Sequence, residues 1–257
     1  MQKKKFLVVG NWKMNPASIE EAKRVIGLTR KWAKSLKRIE VVVCPPFPFI
    51  HLLKTKQKQK IQGGVQDVFV QAAGSFTGEV SSEMVRSFGA KFAIIGHSER
   101  RAMGETDELI SKKVSASLMA GLSPIVCIGE KSRDASGAYL DFLKNQIVSS
   151  LSGVKKKQAS EVIIAYEPVF AIGRSFADAM SARDILETVL YIKKILLEIL
   201  GKESAASIRI LYGGSVNWEN ASAIIEGGGV DGLLVGRESL NMETFPKLLK
   251  TVDVVQV

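Results

Sequence analysis

Five apolar runs in this chain end, all at their C-terminal side, in polar residues or glycine, and this shared polarity restricts the fold more than any other feature. Val162-Ile163-Ile164-Ala165-Tyr166 ends in Glu167-Pro168, and Leu7-Val8-Val9-Gly10 ends in Asn11-Trp12-Lys13. Phe92-Ala93-Ile94-Ile95-Gly96 ends in His97-Ser98-Glu99. Ile208-Arg209-Ile210-Leu211-Tyr212 ends in Gly213-Gly214-Ser215, and Gly232-Leu233-Leu234-Val235 ends in Gly236-Arg237. A near-continuous β-branched run reads as a parallel strand buried on both faces. The C-terminal lip of such strands is where α/β barrels and open sheets build their active sites. A single Glu at a strand tip is more often a solvated surface residue. Five runs delivering such residues at the same end are not expected of independent surface positions.

Strand candidates centre near residues 8, 42, 63, 94, 125, 164, 210 and 233. Helical patterns fall between them, at roughly 17–37, 47–57, 80–88, 106–120, 138–151, 181–200, 217–226 and 242–250. Alternation of this kind implies parallel pairing through right-handed crossovers. Eight units in 257 residues imply an α/β fold closed into a (β/α)8 barrel, one domain over residues 1–257. The segment 181–200 illustrates the scaffold logic: Ser181 with Asp184 forms a capping pair, Ile185, Val189, Ile192, Leu196 and Ile199 form an apolar stripe, and Gly201 supplies the stop. Gly227, Gly229 and Gly232 match a dinucleotide fingerprint only in letters. They follow a helical pattern and precede a strand, the reverse of the required order, so a helix-to-strand turn is expected.

Composition excludes several classes. Hydrophobic content of 46% and charged content of 24% are those of an ordinary globular chain. No apolar run approaches the ~18 residues of a membrane helix. Lys3-Lys4-Lys5 before Phe6-Leu7-Val8-Val9 imitates the start of a signal peptide, but the run is short and Asn11-Trp12-Lys13 interrupts it, so export is not expected and a cytoplasmic location is. Cys44 and Cys127 lie far apart in or at the ends of apolar runs and read as buried, reduced thiols. Two histidines, His51 and His97, rule out a multi-histidine metal site. The net charge of +10 gathers in lysine clusters without interleaved aromatics, which reads as solvated surface that attracts anionic substrates rather than as a nucleic-acid interface.

The lip residues suggest one chemistry. Glu167, set at a strand end by Pro168, is the candidate base; apolar surroundings disfavour a charged carboxylate and suit it to that role. His97 offers a hydrogen bond at a second position, although a histidine after an apolar strand is as often structural. Lys13 and Asn11 suit an oxygen that gains negative charge. Gly173, Gly213-Gly214-Ser215 and Gly236 fall after the sixth, seventh and eighth strands, where barrels bind phosphate through backbone N–H groups. The sequence offers no nucleophile–base pair, no metal cluster and no cofactor fingerprint. One base, one electrophile, one cation and a phosphate grip suit cofactor-free proton transfer beside a carbonyl in a small phosphorylated substrate.

At this point the chain resembles the triosephosphate isomerase family. The resemblance is carried by Asn11-Trp12-Lys13-Met14-Asn15, Ser75-Phe76-Thr77-Gly78-Glu79, Ile95-Gly96-His97-Ser98-Glu99-Arg100-Arg101, Ala165-Tyr166-Glu167-Pro168-Val169 and Tyr212-Gly213-Gly214-Ser215-Val216, in order from residue 6 to about 249. It implies a single-domain TIM barrel interconverting dihydroxyacetone phosphate and D-glyceraldehyde 3-phosphate in glycolysis and gluconeogenesis, with no cofactor and no metal. By that resemblance Glu167 moves the proton between C1 and C2, neutral His97 serves the two oxygens, and Lys13 and Asn11 stabilise the enediolate. Gly173, Ser215 and Gly236 hold the phosphate, with Arg237 beside them. Residues 168–178 form a lid of the kind for which this family is a standing example. Thr77 lies in a loop that reaches a partner's Asn11, implying a homodimer.

Two departures stand out: Phe170 replaces the family's lid tryptophan with Arg174-Ser175-Phe176 after it, and Gly236-Arg237 replaces a Gly-Gly pair. A phosphoribosyl isomerase would need a second phosphate grip after strands 2 and 3, where only Cys44-Pro45-Pro46 and Gln66-Asp67 stand. A nucleic-acid-binding protein would have no use for Glu167, His97 and Lys13 together.

Overall fold

A computed structural model describes residues 5–54, 60–133, 136–171 and 180–255. Eight parallel strands pair in chain order and the last returns to the first, closing the barrel. They are β1 (Phe6–Asn11), β2 (Ile39–Cys44), β3 (Ile61–Val65), β4 (Ala90–Ile95), β5 (Ser123–Ile128), β6 (Ile163–Tyr166), β7 (Arg209–Tyr212) and β8 (Gly232–Val235). Closure is direct: Leu7 pairs with Gly232 and Gly10 with Val235. All eight expected strands are present, and the (β/α)8 TIM barrel expected from the sequence is the observed fold.

Around it lie α1 (Ile19–Ala33), α2 (Ser82–Ser87), α3 (Ser98–Ala102), α4 (Asp107–Met119), α5 (Ala138–Ser150), α6 (Ala182–Leu200), α7 (Lys202–Ser207), α8 (Ala221–Gly227) and α9 (Phe245–Val254). α6 is built as its sequence suggests: Ser181 Oγ accepts from the Asp184 N–H, and Gly201 ends the helix at φ 83°. Ile185, Val189, Ile192 and Leu196 are buried, whereas Ile199 is only half-buried and Ile195 and Leu200 are buried beside the stripe, the drift expected of 3.6 residues per turn. Between α8 and β8 the glycines 227–232 make the expected helix-to-strand turn. The segment expected to be helical at 47–57 is instead a 3-10 helix, Phe47–Leu53. Pro46 and Pro48 bring no N–H donors, which favours a short, tight turn there. Residues 55–59 fall outside the described ones. The short helices α3 and α7 carry too little periodicity to be read from sequence.

Two apolar layers follow from strand alternation. One faces the helices, with Val8, Val41, Val43, Ile95 and Ile164 among its members. The other fills the barrel, with Leu7, Val9, Val42, Cys44, Phe92, Ile94, Ile125, Cys127, Ile163, Ala165, Leu211 and Leu234. Both cysteines are buried and free, and burial pushes both thiols up from their ordinary pKa. Among the described residues no helix is long and apolar enough to cross a membrane.

Candidate active site

Continuing the inward register by one step brings each barrel-filling series out at the C-terminal mouth. Leu7 and Val9 lead to Asn11, Ile163 and Ala165 to Glu167, Leu211 to Gly213, and Leu234 to Gly236. Those four residues line a cavity of about 450 Å3 with Lys13, His97 and Ser215. Arg237 also lines it. The structure thus brings together every described site residue expected from the sequence, while Gly173 and Arg174-Ser175-Phe176 lie outside the described residues.

Glu167 is 2% exposed, and its backbone is held by N–H donation to the Ile128 carbonyl at 2.7 Å. Its Oε2 accepts from the Ser98 N–H at 3.3 Å, and its Oε1 stands 3.3 Å from His97 Nε2. Gly213 makes room for it: a Cβ there would lie 2.9 Å from Glu167 Cγ. Cys127 lies beneath, where burial first and then the Glu167 charge keep its thiol protonated.

His97 is aimed by a turn. Gly96 takes φ 69°, a left-handed conformation that suits glycine, and a Cβ there would meet Ile110 at 2.8 Å. Arg101 Nε holds the Gly96 carbonyl at 2.8 Å. His97 then caps α3, its Nδ1 accepting from the Glu99 N–H at 3.2 Å. A ring nitrogen that accepts cannot carry the proton, so in the neutral ring the hydrogen sits on Nε2, 3.3 Å from Glu167 Oε1.

Lys13 has φ 53°, the one non-glycine residue with positive φ among those described. That conformation is sparsely populated and is held by neighbours. Its N–H donates to Asn11 Oδ1 at 3.0 Å and its carbonyl accepts from Gln66 Nε2 at 2.9 Å. Its Nζ reaches across the mouth to Glu99 Oε1 at 2.7 Å.

The opposite wall is mostly backbone. Ser215 Oγ donates to the Ala171 carbonyl at 2.8 Å, tying this wall to the segment after Glu167. Gly236 opens the 3-10 turn Arg237–Leu240, whose first N–H groups have no partner within the turn. Arg237 is exposed, and its φ is negative, so it replaces a glycine there without backbone strain. After β3, Asp67 pairs with Lys113 Nζ at 2.7 Å and Arg100 Nη2 at 2.9 Å. A carboxylate at that point opposes a second phosphate.

Several contributors escaped the sequence reading. Glu99 was named in the run after β4, but its contacts with Lys13 Nζ and the His97 ring were not foreseen. Gln66, which bridges the carbonyls of Lys13 and Cys44, carried no signal. Tyr166 faces outward, its Oη donating to Glu130 at 2.9 Å, while burial and the Glu130 charge push its phenol up. Tyr212 Oη is buried with no hydrogen-bond partner among the described residues, and burial pushes its pKa up to about 12.

Comparison with known proteins agrees with this geometry. A family model described as Triosephosphate isomerase matches residues 6–252. A curated protein called "Triosephosphate isomerase" from Carboxydothermus hydrogenoformans is 40% identical over 253 residues, covering 96% of this chain and 98% of its own. Proteins of the same name from Thermoanaerobacter pseudethanolicus and Moorella thermoacetica are each 41% identical over 246 residues, covering 95% of this chain and 98% and 97% of theirs. With the whole barrel matched, the chain belongs to the triosephosphate isomerase family and is an isomerase.

Proposed function

We propose that the chain interconverts dihydroxyacetone phosphate and D-glyceraldehyde 3-phosphate through an enediolate, with Glu167 as the base. The observation that carries this reading is the 3.3 Å approach of a buried carboxylate to His97 Nε2 at the mouth of a barrel, with the Glu99 N–H on the other ring nitrogen. Glu167 leaves the Ser98 N–H, takes a proton from C1 of the ketose, and negative charge develops on the C2 oxygen. His97 Nε2–H donates to that oxygen and takes the proton of the C1 oxygen in turn. Glu167 then returns its proton to C2, so no proton is gained or lost overall. Lys13 and Asn11 stabilise the charge on the oxygens. Backbone N–H groups of Ser215 and Gly236 hold the phosphate with Gly173, and the Arg237 side chain points away from it. Residues 168–178 serve as the lid that excludes water and prevents phosphate loss from the enediolate. A coupled assay of glyceraldehyde 3-phosphate formation tests this; absence of turnover in folded protein would refute it.

The same reading places the enzyme in the cytoplasm, within glycolysis and gluconeogenesis, as one domain over residues 1–257 and as a homodimer. Residues 71–79, with Thr77, form an exposed loop. Beside the site lies a second hollow of about 370 Å3 lined by Asn11, Lys13, Met14, His97 and Met103. Met14 and Met103 are 93% and 73% exposed there, apolar surface suited to a partner's loop. Thr77→Arg is expected to give monomers of weak activity. Sedimentation showing a fully active wild-type monomer at assay concentrations would refute the dimer.

A further inference from the structure

Arg133 has no part in the chemistry above, yet it contacts the segment that carries Glu167 on both sides of that residue. It stands between β5 and α5. Its Nε donates to Glu130 Oε1 at 2.7 Å, and its Nη2 donates to Tyr166 Oη at 2.8 Å and to Thr188 Oγ1 at 2.6 Å. Its Cζ lies 4.6 Å from the Tyr139 ring centroid and 5.6 Å from that of Phe170. Tyr166 immediately precedes Glu167, and Phe170 follows three positions later. Backbone bonds hold the same segment to β5 and the residues after it: the Glu167 N–H donates to the Ile128 carbonyl, and the Val169 N–H to the Glu130 carbonyl at 2.9 Å. Thr188 anchors the guanidinium to α6, and Tyr139 to α5.

We propose that Arg133 is a positioning residue of the isomerase: by holding Tyr166 and Phe170 together, it fixes where the Glu167 carboxylate stands. The inference rests on Glu167 being the base. Its physical basis is the planar fork of the guanidinium, which donates in several directions while its face lies against an aromatic ring. A lysine ammonium keeps the charge for Glu130 but cannot reach Tyr166, Thr188 and Phe170 at once. The Phe170 ring carries no N–H to donate, so the cation over its face provides the attachment of this side chain. A shift of the base by ~1 Å costs about 10²-fold in rate.

The test is Arg133→Lys in the full chain, measuring kcat, KM, thermal melting and inorganic phosphate released per turnover. A merely structural role moves the melting temperature and the folded fraction together and leaves phosphate release alone. The positioning role lowers kcat by roughly tenfold or more while KM stays within ~3-fold, and raises phosphate release because a poorly held enediolate expels its phosphate. If Arg133→Lys does not fold, Arg133→Ala assayed with and without added guanidinium carries the test, since a free guanidinium restores the fork and an equal concentration of ammonium does not. Unchanged kcat and phosphate release in Arg133→Lys, a loss that only follows the folded fraction, or no guanidinium rescue in Arg133→Ala would overturn the proposal. An inactive wild type would instead overturn the reading of Glu167, whereas an active wild type with an unaffected Arg133→Lys overturns this inference alone.

Discussion

The barrel interior and its mouth are made by the same strands in the same register, yet they do opposite things. Below, Leu7, Val9, Ile94, Ile125, Ile163 and Leu211 fill the space completely. One step further along, the inward positions are Asn11 and Glu167, or glycines with no side chain at all. The lower layer supplies rigidity, since close-packed side chains transmit displacement instead of absorbing it. The upper ring uses that rigidity to hold a buried carboxylate 3.3 Å from a histidine nitrogen. Within the ring there is a second division. The wall of Glu167, His97 and Lys13 is expected to act through side chains, and the wall of Ser215, Gly236 and Arg237 through backbone. Substitutions in the interior should therefore act on stability, those on the first wall on kcat, and those on the second on KM.

The strongest challenge to this division is Glu167→Gln. It keeps the shape but removes the proposed base, so kcat should fall by about 10³-fold or more, ~4 kcal/mol, with the melting temperature nearly unchanged. A variant that keeps near wild-type kcat would mean that another group takes the proton.

Ile94→Ala tests the lower layer. Ile94 is fully buried within the barrel, and truncation should lower the unfolding free energy by ~2–5 kcal/mol in urea titration. Its kcat in the folded fraction should change by less than about threefold. A large loss of kcat in still-folded enzyme would show that packing and chemistry are not separable along a strand.

Arg237→Gly is the mildest. If its N–H and not its guanidinium faces the phosphate, KM changes by less than about tenfold, ~1.4 kcal/mol. A direct charge-assisted contact would instead cost ~1.5–3 kcal/mol, with an added salt dependence of KM.

Much of this contrast was legible in the chain. The runs that end in Glu167, His97, Asn11, Gly213 and Gly236 gave the barrel and the residues that line its C-terminal mouth, because apolar runs and strand polarity are local properties. The proline-interrupted segment at 47–53 was misread as a longer helix, since its apolar spacing imitates helical periodicity. Arg133 and Gln66 were invisible, because their partners Tyr166, Thr188, Lys13 and Cys44 lie far along the chain.

The sequence by itself determined which residues emerge at the mouth, since every strand must bury its apolar faces and leave its polar end at the lip. Only the tertiary structure decided how those residues behave there. The proton of His97 sits on Nε2 because the Glu99 N–H occupies Nδ1. Lys13 is held at φ 53° by Asn11 and Gln66, and Glu167 has room because Gly213 lies opposite. Each of these depends on atoms brought together by closure of the barrel, and hydrogen bonds and close contacts depend on distances in space that no local pattern along the chain encodes.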